Sequence, residues 1–240
     1  MRKTVLFILT LATLGACARK NMEQPTTFTS TTPTTSAKDS VTYLALGDSY
    51  TIGESVPTQA SFPYQLTYLL RNKQIDVAAP VIIAQTGWTT ADLQSAISRA
   101  TLTQKFNFVT LLIGVNNQYQ YGSIDTYRTQ FVQLLNTAIN FAGGNVKHVF
   151  VLSIPDWSVT PYAANPGRNI KQIASEIDQF NGVNQEESQK AGVNYTNITD
   201  ISRMAATDPT LIAADRLHPS EHMYQLWMER LVDNVAAALK

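Results

Sequence analysis

Cysteine is nearly absent from this chain: one in 240 residues, Cys17. A single thiol can neither close a disulfide framework nor build a cysteine zinc site within one chain. An excess of charge of either sign is lacking as well, with 18 Lys and Arg against 18 Asp and Glu and no basic run beyond the extreme N-terminus. The counterion release that drives nucleic-acid binding therefore has no footprint, and nucleic acid is not an expected partner. Also missing are a Gly-rich dinucleotide fingerprint, a Walker loop and a G-x-S-x-G elbow. No motif thus calls for NAD, ATP or a metal, and none places a serine in the α/β-hydrolase manner. The expected cofactor complement is none.

The one long apolar run, residues 5–14, is too short to span a bilayer as a stable helix and follows Arg2 and Lys3, which is the layout of a secretory signal. It ends in Leu14-Gly15-Ala16-Cys17, which resembles the lipobox of bacterial lipoproteins. That resemblance implies a signal peptide over residues 1–16, cleavage before Cys17, acylation of its thiol, and a lipid-anchored place in the bacterial cell envelope with the membrane as a partner. Acyl chains held at about 0.8 kcal/mol per buried methylene would make such an anchor lasting. An ordinary cleaved signal whose cleavage region contains a cysteine is the alternative. Residues 17–40 are rich in Thr, Ser and Pro and poor in large apolar side chains, so they cannot bury enough surface to offset their ordering entropy. They read as a tether, or as a glycosylated stalk. The sequons at Asn194 and Asn197 would be idle in a bacterium.

From residue 41 to 240 short β-rich runs alternate with longer amphipathic segments, the pattern of βα units on a parallel sheet. About two hundred residues suffice for one domain that buries roughly 70 % of its unfolded surface. Strands are expected at residues 41–46, 81–84, 108–113, 149–153 and 193–196. Between them, Phe62, Leu66, Leu69 and Leu70 repeat at helical spacing, as do Leu93, Ala96, Ile97 and Ala100, with Thr89 or Thr90 as a cap. A third stripe runs from Tyr127 to Ile139 and stops at Gly143-Gly144, and a fourth runs from Ile170 to Phe180. Met223, Trp227, Leu231 and Val235 close the chain in a helix entered through Pro219. These stripes are expected to be core.

The first strand ends in Leu46-Gly47-Asp48-Ser49-Tyr50, where Gly47 permits a sharp exit and Ser49 stands where ligands of open parallel sheets collect. Ser49 alone reads first as a turn residue, since serine commonly follows a strand; as a nucleophile it needs an imidazole. Of the three histidines, His148 opens a strand and reads as structural, and His222 reads as a surface or packing residue. His218 has an acid three residues before it, in Asp215-Arg216-Leu217-His218-Pro219. A carboxylate at that separation can turn back onto the ring and hold the tautomer whose other nitrogen faces a serine. The following helix disfavours an imidazolium by about 0.3–1 kcal/mol, whereas a charged hydrogen bond from Asp215 favours it by roughly 1.5–3 kcal/mol, so the carboxylate prevails. His218 and His222, four apart, lack a neighbouring third ligand for a metal. Oxyanion donors have candidates at the next two strand exits: Gly87, whose amide can approach a ligand closely, and Asn116, whose side chain offers two donors and no charge.

Gly47-Asp48-Ser49, then Gly87, then Gly114-Val115-Asn116, then Asp215 to His218 form an order that resembles the SGNH hydrolases, the GDSL-type esterases and lipases. Ser153-Ile154-Pro155-Asp156 and Leu217-His218-Pro219-Ser220 are similar to that family too, and the resemblance spans essentially residues 41–240. It implies a three-layer α/β/α sandwich on a five-stranded parallel sheet of flavodoxin-like order. It also implies a serine ester hydrolase working through an acyl-enzyme, with Ser49 as nucleophile, His218 as general base and acid and Asp215 as its orienter. The Ser49 amide, the Gly87 amide and the Asn116 side chain would form the oxyanion hole. Two positions depart from the family pattern. Tyr50 replaces the usual aliphatic residue, and Asn117 replaces a common acid, and both are expected to reshape the acyl pocket. The substrate would be a small-molecule ester or acyl compound: a carboxylic ester, lysophospholipid or thioester on one reading, an acetylated carbohydrate on another. Tyr50, Trp88, Tyr119, Tyr121 and Trp157 are candidates for a sugar platform or for local packing. A membrane-tethered binding protein of the same fold without turnover is the remaining alternative.

Overall fold

The computed structural model describes residues 40–240; the expected signal peptide, Cys17 and all of the tether but Ser40 lie outside the described residues. The described residues fall in one compact unit. Its strands are β1 (Tyr43–Gly47), β2 (Val81–Ala84), β3 (Phe108–Leu112), β4 (Val149–Leu152) and β5 (Asn194–Thr196). The helices are α1 (Ser49–Ile52), α2 (Phe62–Asn72), α3 (Thr90–Ala100), α4 (Val115–Tyr119), α5 (Ile124–Phe141), α6 (Ile170–Ala191), α7 (Thr199–Arg203) and α8 (Glu221–Ala238).

All five strands are parallel, in the order β2-β1-β3-β4-β5. Every residue of β1, β3 and β4 is buried, which is why those segments read as continuous apolar runs rather than alternating ones. The edge strands β2 and β5 are half-buried. The chain moves one way across the sheet from β1 to β2 and the other way from β2 through β5. Right-handed crossovers then put α2 on one face and α3, α5 and α6 on the other. Packing agrees, since α2 lies on α8 while α5 contacts both α3 and α6. The result is the three-layer α/β arrangement.

Helix boundaries follow local chemistry. Thr89 and Asp92 form a reciprocal capping box on α3, with the Thr89 hydroxyl 2.6 Å from Asp92 Oδ2. Ser220 caps α8, so Pro219 lies just before the cap rather than inside the helix. Gly192, left-handed at φ 71°, ends α6.

This strand order reverses between β1 and β3, and such a switch point opens a crevice at the carboxyl ends of the strands. The register aligns Gly47 with Ala84 on one side and with Leu112 on the other. Ser49, Gly87 and Asn116 therefore all leave the sheet at one edge, within a few residues of three aligned strand ends.

Candidate active site

Ser49 is the first residue of α1, capped by Asp48, whose Oδ1 accepts the Tyr50 N–H at 3.0 Å. The glycine before them acts differently from the expected sharp exit. Gly47 has no left-handed backbone, but a Cβ there would stand 2.0 Å from Thr51 Oγ1 and 2.4 Å from the Leu112 carbonyl oxygen. Its role is close approach: the first turn of α1 folds back over β1 and against β3 only if this position has no side chain. Asp48 is fully buried, its Oδ2 has no hydrogen-bond partner among the described residues, and burial pushes its carboxyl up to about 8.

His218 lies on the other wall, with only 8 % of its surface exposed. Its Nδ1 is 2.5 Å from Asp215 Oδ2, while Asp215 Oδ1 accepts the backbone N–H groups of Leu217 and His218, both at 3.0 Å. Arg216, left-handed at φ 70°, makes the turn that aims those amides at the carboxylate. Burial would raise the Asp215 carboxyl, but the bond from His218, the two amides and the Ser55 hydroxyl together lower it to about 2. Ser55 is a residue the sequence did not point to. It lies in the loop after α1, in a left-handed conformation at φ 67°, and its Oγ donates to Asp215 Oδ2 at 2.8 Å. A partner 160 positions away leaves no local signal; only the uncommon φ, visible in the fold, marks it.

The three candidate donors converge as the register requires. Gly87 has φ 84° and open space around it, and among the described residues the amides of Ser49 and Gly87 donate to no loop or side-chain acceptor. Asn116 gives one of its two amide hydrogens to the Trp88 carbonyl at 3.0 Å, which fixes the side chain and leaves the other free. Gly114, at φ 129°, precedes it; a Cβ there would meet Tyr127 Oη at 2.4 Å and Ile154 Cδ1 at 2.7 Å.

Ser49, Gly87, Asn116 and His218 line one cavity of about 180 Å³, together with Tyr50, Tyr119, Trp157 and Tyr162. No hydrogen bond links Ser49 Oγ to His218 among the described residues; catalytic bonds of this kind commonly tighten only when substrate is bound. The arrangement offers a hydroxyl, a carboxylate-anchored imidazole and uncharged donors around one small space, which is what acyl transfer needs. Of the other histidines, His148 has its Nε2 3.0 Å from the Ala238 carbonyl oxygen, and His222 is exposed on α8.

A model of the GDSL-like lipase/acylhydrolase family matches residues 45–226. The chain belongs to that family. It is therefore a hydrolase acting on ester bonds. Solved structures of the same fold include TesA, at a TM-score of 0.64 and 16 % identity over 82 % of this chain and 99 % of that one. The lipase/acylhydrolase from Enterococcus faecalis superposes at 0.63 with 20 % identity over 83 % and 97 %. Axe2, an acetylxylan esterase from Geobacillus stearothermophilus, does so at 0.62 with 17 % identity over 81 % and 94 %. No curated protein matches the sequence significantly.

Of the two departures from the GDSL-like pattern, one touches the cavity and one does not. Tyr50 is buried, lines the cavity and meets the His218 ring edge-on at 5.7 Å between centroids. Asn117 was expected to reshape the acyl pocket, but it is buried away from the cavity lining. Its Oδ1 accepts the Thr90 N–H at 3.0 Å and its Nδ2 donates to Thr90 Oγ1 at 2.8 Å. The Thr90 hydroxyl gives its own hydrogen to Gln130 Oε1, so its oxygen is left to accept one, which an amide at 117 supplies and a carboxylate does not. The five aromatic residues considered for a sugar platform divide as well. Tyr50 and Trp157 are buried cavity wall, Tyr119 lines the cavity but is partly exposed, Trp88 is half-buried, and Tyr121 is 84 % exposed.

Proposed function

We propose that this hydrolase uses Ser49, His218 and Asp215 as a triad and removes short acyl groups from ester substrates. The observation that carries the reading is the short Asp215–His218 contact beside a cavity lined by Ser49, Gly87 and Asn116. Ser49 Oγ attacks the ester carbonyl as His218 takes its proton, and the carbonyl oxygen becomes an oxyanion received by the amides of Ser49 and Gly87 and by Asn116 Nδ2. The C–O bond to the alcohol then breaks, with His218 returning the proton to the leaving oxygen. Water, deprotonated by the same ring, hydrolyses the acyl-Ser49 ester and regenerates the hydroxyl. Asp215 holds the ring, and Ser55 holds Asp215.

The volume of the cavity favours a short acyl group. A space of about 180 Å³ walled by Tyr50, Trp157 and Tyr162 is smaller than the roughly 300–1,000 Å³ of sites for drug-sized ligands. That favours small acyl esters, such as acetylated carbohydrates, over lysophospholipids and long-chain thioesters. The name of Axe2 as an acetylxylan esterase is in keeping with this. A p-nitrophenyl ester series tests it: kcat/KM should fall at least tenfold from acetate to octanoate, and a maximum at octanoate or longer would overturn the chain-length assignment. The lipid anchor on Cys17 and an envelope location rest on the residues around Cys17 alone; palmitate labelling that is lost in Cys17→Ser supports them, and labelling that survives refutes them.

A further inference from the structure

Four of the chain's arginines hold their heads against other groups in recognisable ways. Arg128, Arg203 and Arg230 pair with carboxylates, and Arg71 donates to the Val77 carbonyl. Arg168 is different. Its guanidinium carbon lies 4.9 Å from the ring centroids of Tyr119 and Tyr162 and 5.0 Å from that of Trp157. Its Nη2 donates to Tyr119 Oη at 2.8 Å and to Tyr162 Oη at 3.3 Å, and the two phenols are 3.1 Å apart. No carboxylate pairs with it among the described residues. Glu176 lines one small outer cavity with Arg168 but accepts from Gln118 Nε2 at 2.7 Å and Gln172 Nε2 at 2.8 Å instead.

The three rings that hold Arg168 are also wall residues of the catalytic cavity. Trp157 is fixed further by Nε1 donating to Gln118 Oε1 at 2.8 Å, and the Tyr162 amide donates to the Arg216 carbonyl at 3.0 Å, inside the Asp215–His218 loop. The outer cavity, of about 100 Å³, shares Tyr119 and Trp157 with the catalytic one. A guanidinium has five N–H donors, and here only Nη2 has protein acceptors among the described residues. The Nε and Nη1 hydrogens have no protein acceptor among the described residues, and Arg168 lines the outer cavity, so they are available to a ligand there. A planar, permanently charged fork suits a carboxylate or a phosphate, and its orientation is set before binding.

We propose that Arg168 is the recognition group for an anionic substituent, a carboxylate or phosphate, on the alcohol portion of the ester substrate. This rests on the esterase reading of the cavity and extends it to the leaving group, which would run from Ser49 past Tyr119 and Trp157 toward the guanidinium. Arg168 touches substrate without taking part in bond making, so its effect belongs in KM.

The test uses acetate esters of ω-hydroxy carboxylic acids of increasing chain length, the matching primary amides, and ω-hydroxyalkyl phosphates. In the wild type, the best carboxylate or phosphate should exceed its neutral counterpart at least tenfold in kcat/KM, through KM, and the preference should shrink with added salt. The two anion series show which group fits better. Arg168→Gln should abolish the preference, lowering kcat/KM at least tenfold more on the anions than on the amides, and Arg168→Lys should keep part of it. Absence of preference at every length, a preference that survives Arg168→Gln, or an equal loss on amides and anions would each overturn the proposal. The last outcome would mark Arg168 as wall structure only. Calorimetric titration of Ser49→Ala with the same esters reads binding without turnover. An anion preference in binding with no hydrolysis by the wild type would overturn the esterase reading and leave the Arg168 assignment standing.

Discussion

Asp48 is a fully buried carboxyl next to Ser49, with one oxygen bound to the Tyr50 N–H and the other without a partner among the described residues. Burial raises it from 3.8 to about 8, which means the folded state holds the proton far more tightly than the unfolded chain does. For an acid shifted upward, the folded form is most stable below the unfolded value and loses stability as pH rises toward the folded one. At about 1.4 kcal/mol per unit, the window from 3.8 to about 8 carries on the order of 5 kcal/mol, a large share of the roughly 5–15 kcal/mol that holds a domain. Asp215 acts in the opposite sense, but its lowered value confines its effect to acid below that window. The perturbation is Asp48→Asn, which keeps an acceptor for the Tyr50 amide and cannot ionise. Urea unfolding at constant ionic strength should show wild-type stability declining by several kcal/mol from pH 5 to pH 8, while the variant stays flat and becomes the more stable of the two at pH 8. Parallel pH dependences in the two proteins would refute the reasoning.

Three further outcomes follow from the site. Asn116→Ala removes a side-chain donor fixed by the Trp88 carbonyl, and kcat on p-nitrophenyl acetate should fall by about 10²- to 10³-fold with KM little changed. Ser55→Ala withdraws a hydroxyl from Asp215, so kcat should fall about three- to tenfold and the Asp215 carboxyl should rise toward its ordinary range in a titration followed by NMR, whereas Asp215→Asn should cost more than this and less than Ser49→Ala. Gly114→Ala places a Cβ against Tyr127 Oη and Ile154 Cδ1 at a φ of 129°, and denaturant unfolding should report about 2–4 kcal/mol of lost stability.

The sheet was legible because its central strands are covered on both faces and so leave unbroken apolar runs, and β1, β3 and β4 fall within a residue or two of where those runs lie. The helices were legible from their stripes and from Thr89, whose capping partner Asp92 is only three residues on. What could not be read shares one property: it depends on contacts between distant segments. Gly47 gives no sign in sequence that Thr51 and Leu112 crowd it, and Asn117 gives none that its partner is Thr90. Ser55 meets Asp215, and Arg168 meets Tyr119 of α4, only after the sheet has brought their loops to one edge, whereas Trp157 and Tyr162 belong to the same β4–α6 connection as Arg168. Local pattern reports which residues form an element; it does not report which loop faces which.

The central claim is that Ser49 is an activated nucleophile served by His218. A serine-directed fluorophosphonate, followed by mass spectrometry of the peptides, tests it directly. The account predicts one covalent adduct, on Ser49, formed in step with loss of esterase activity and slowed at least a hundredfold in His218→Ala. Complete inactivation with Ser49 unmodified, or unchanged labelling in His218→Ala, would contradict it.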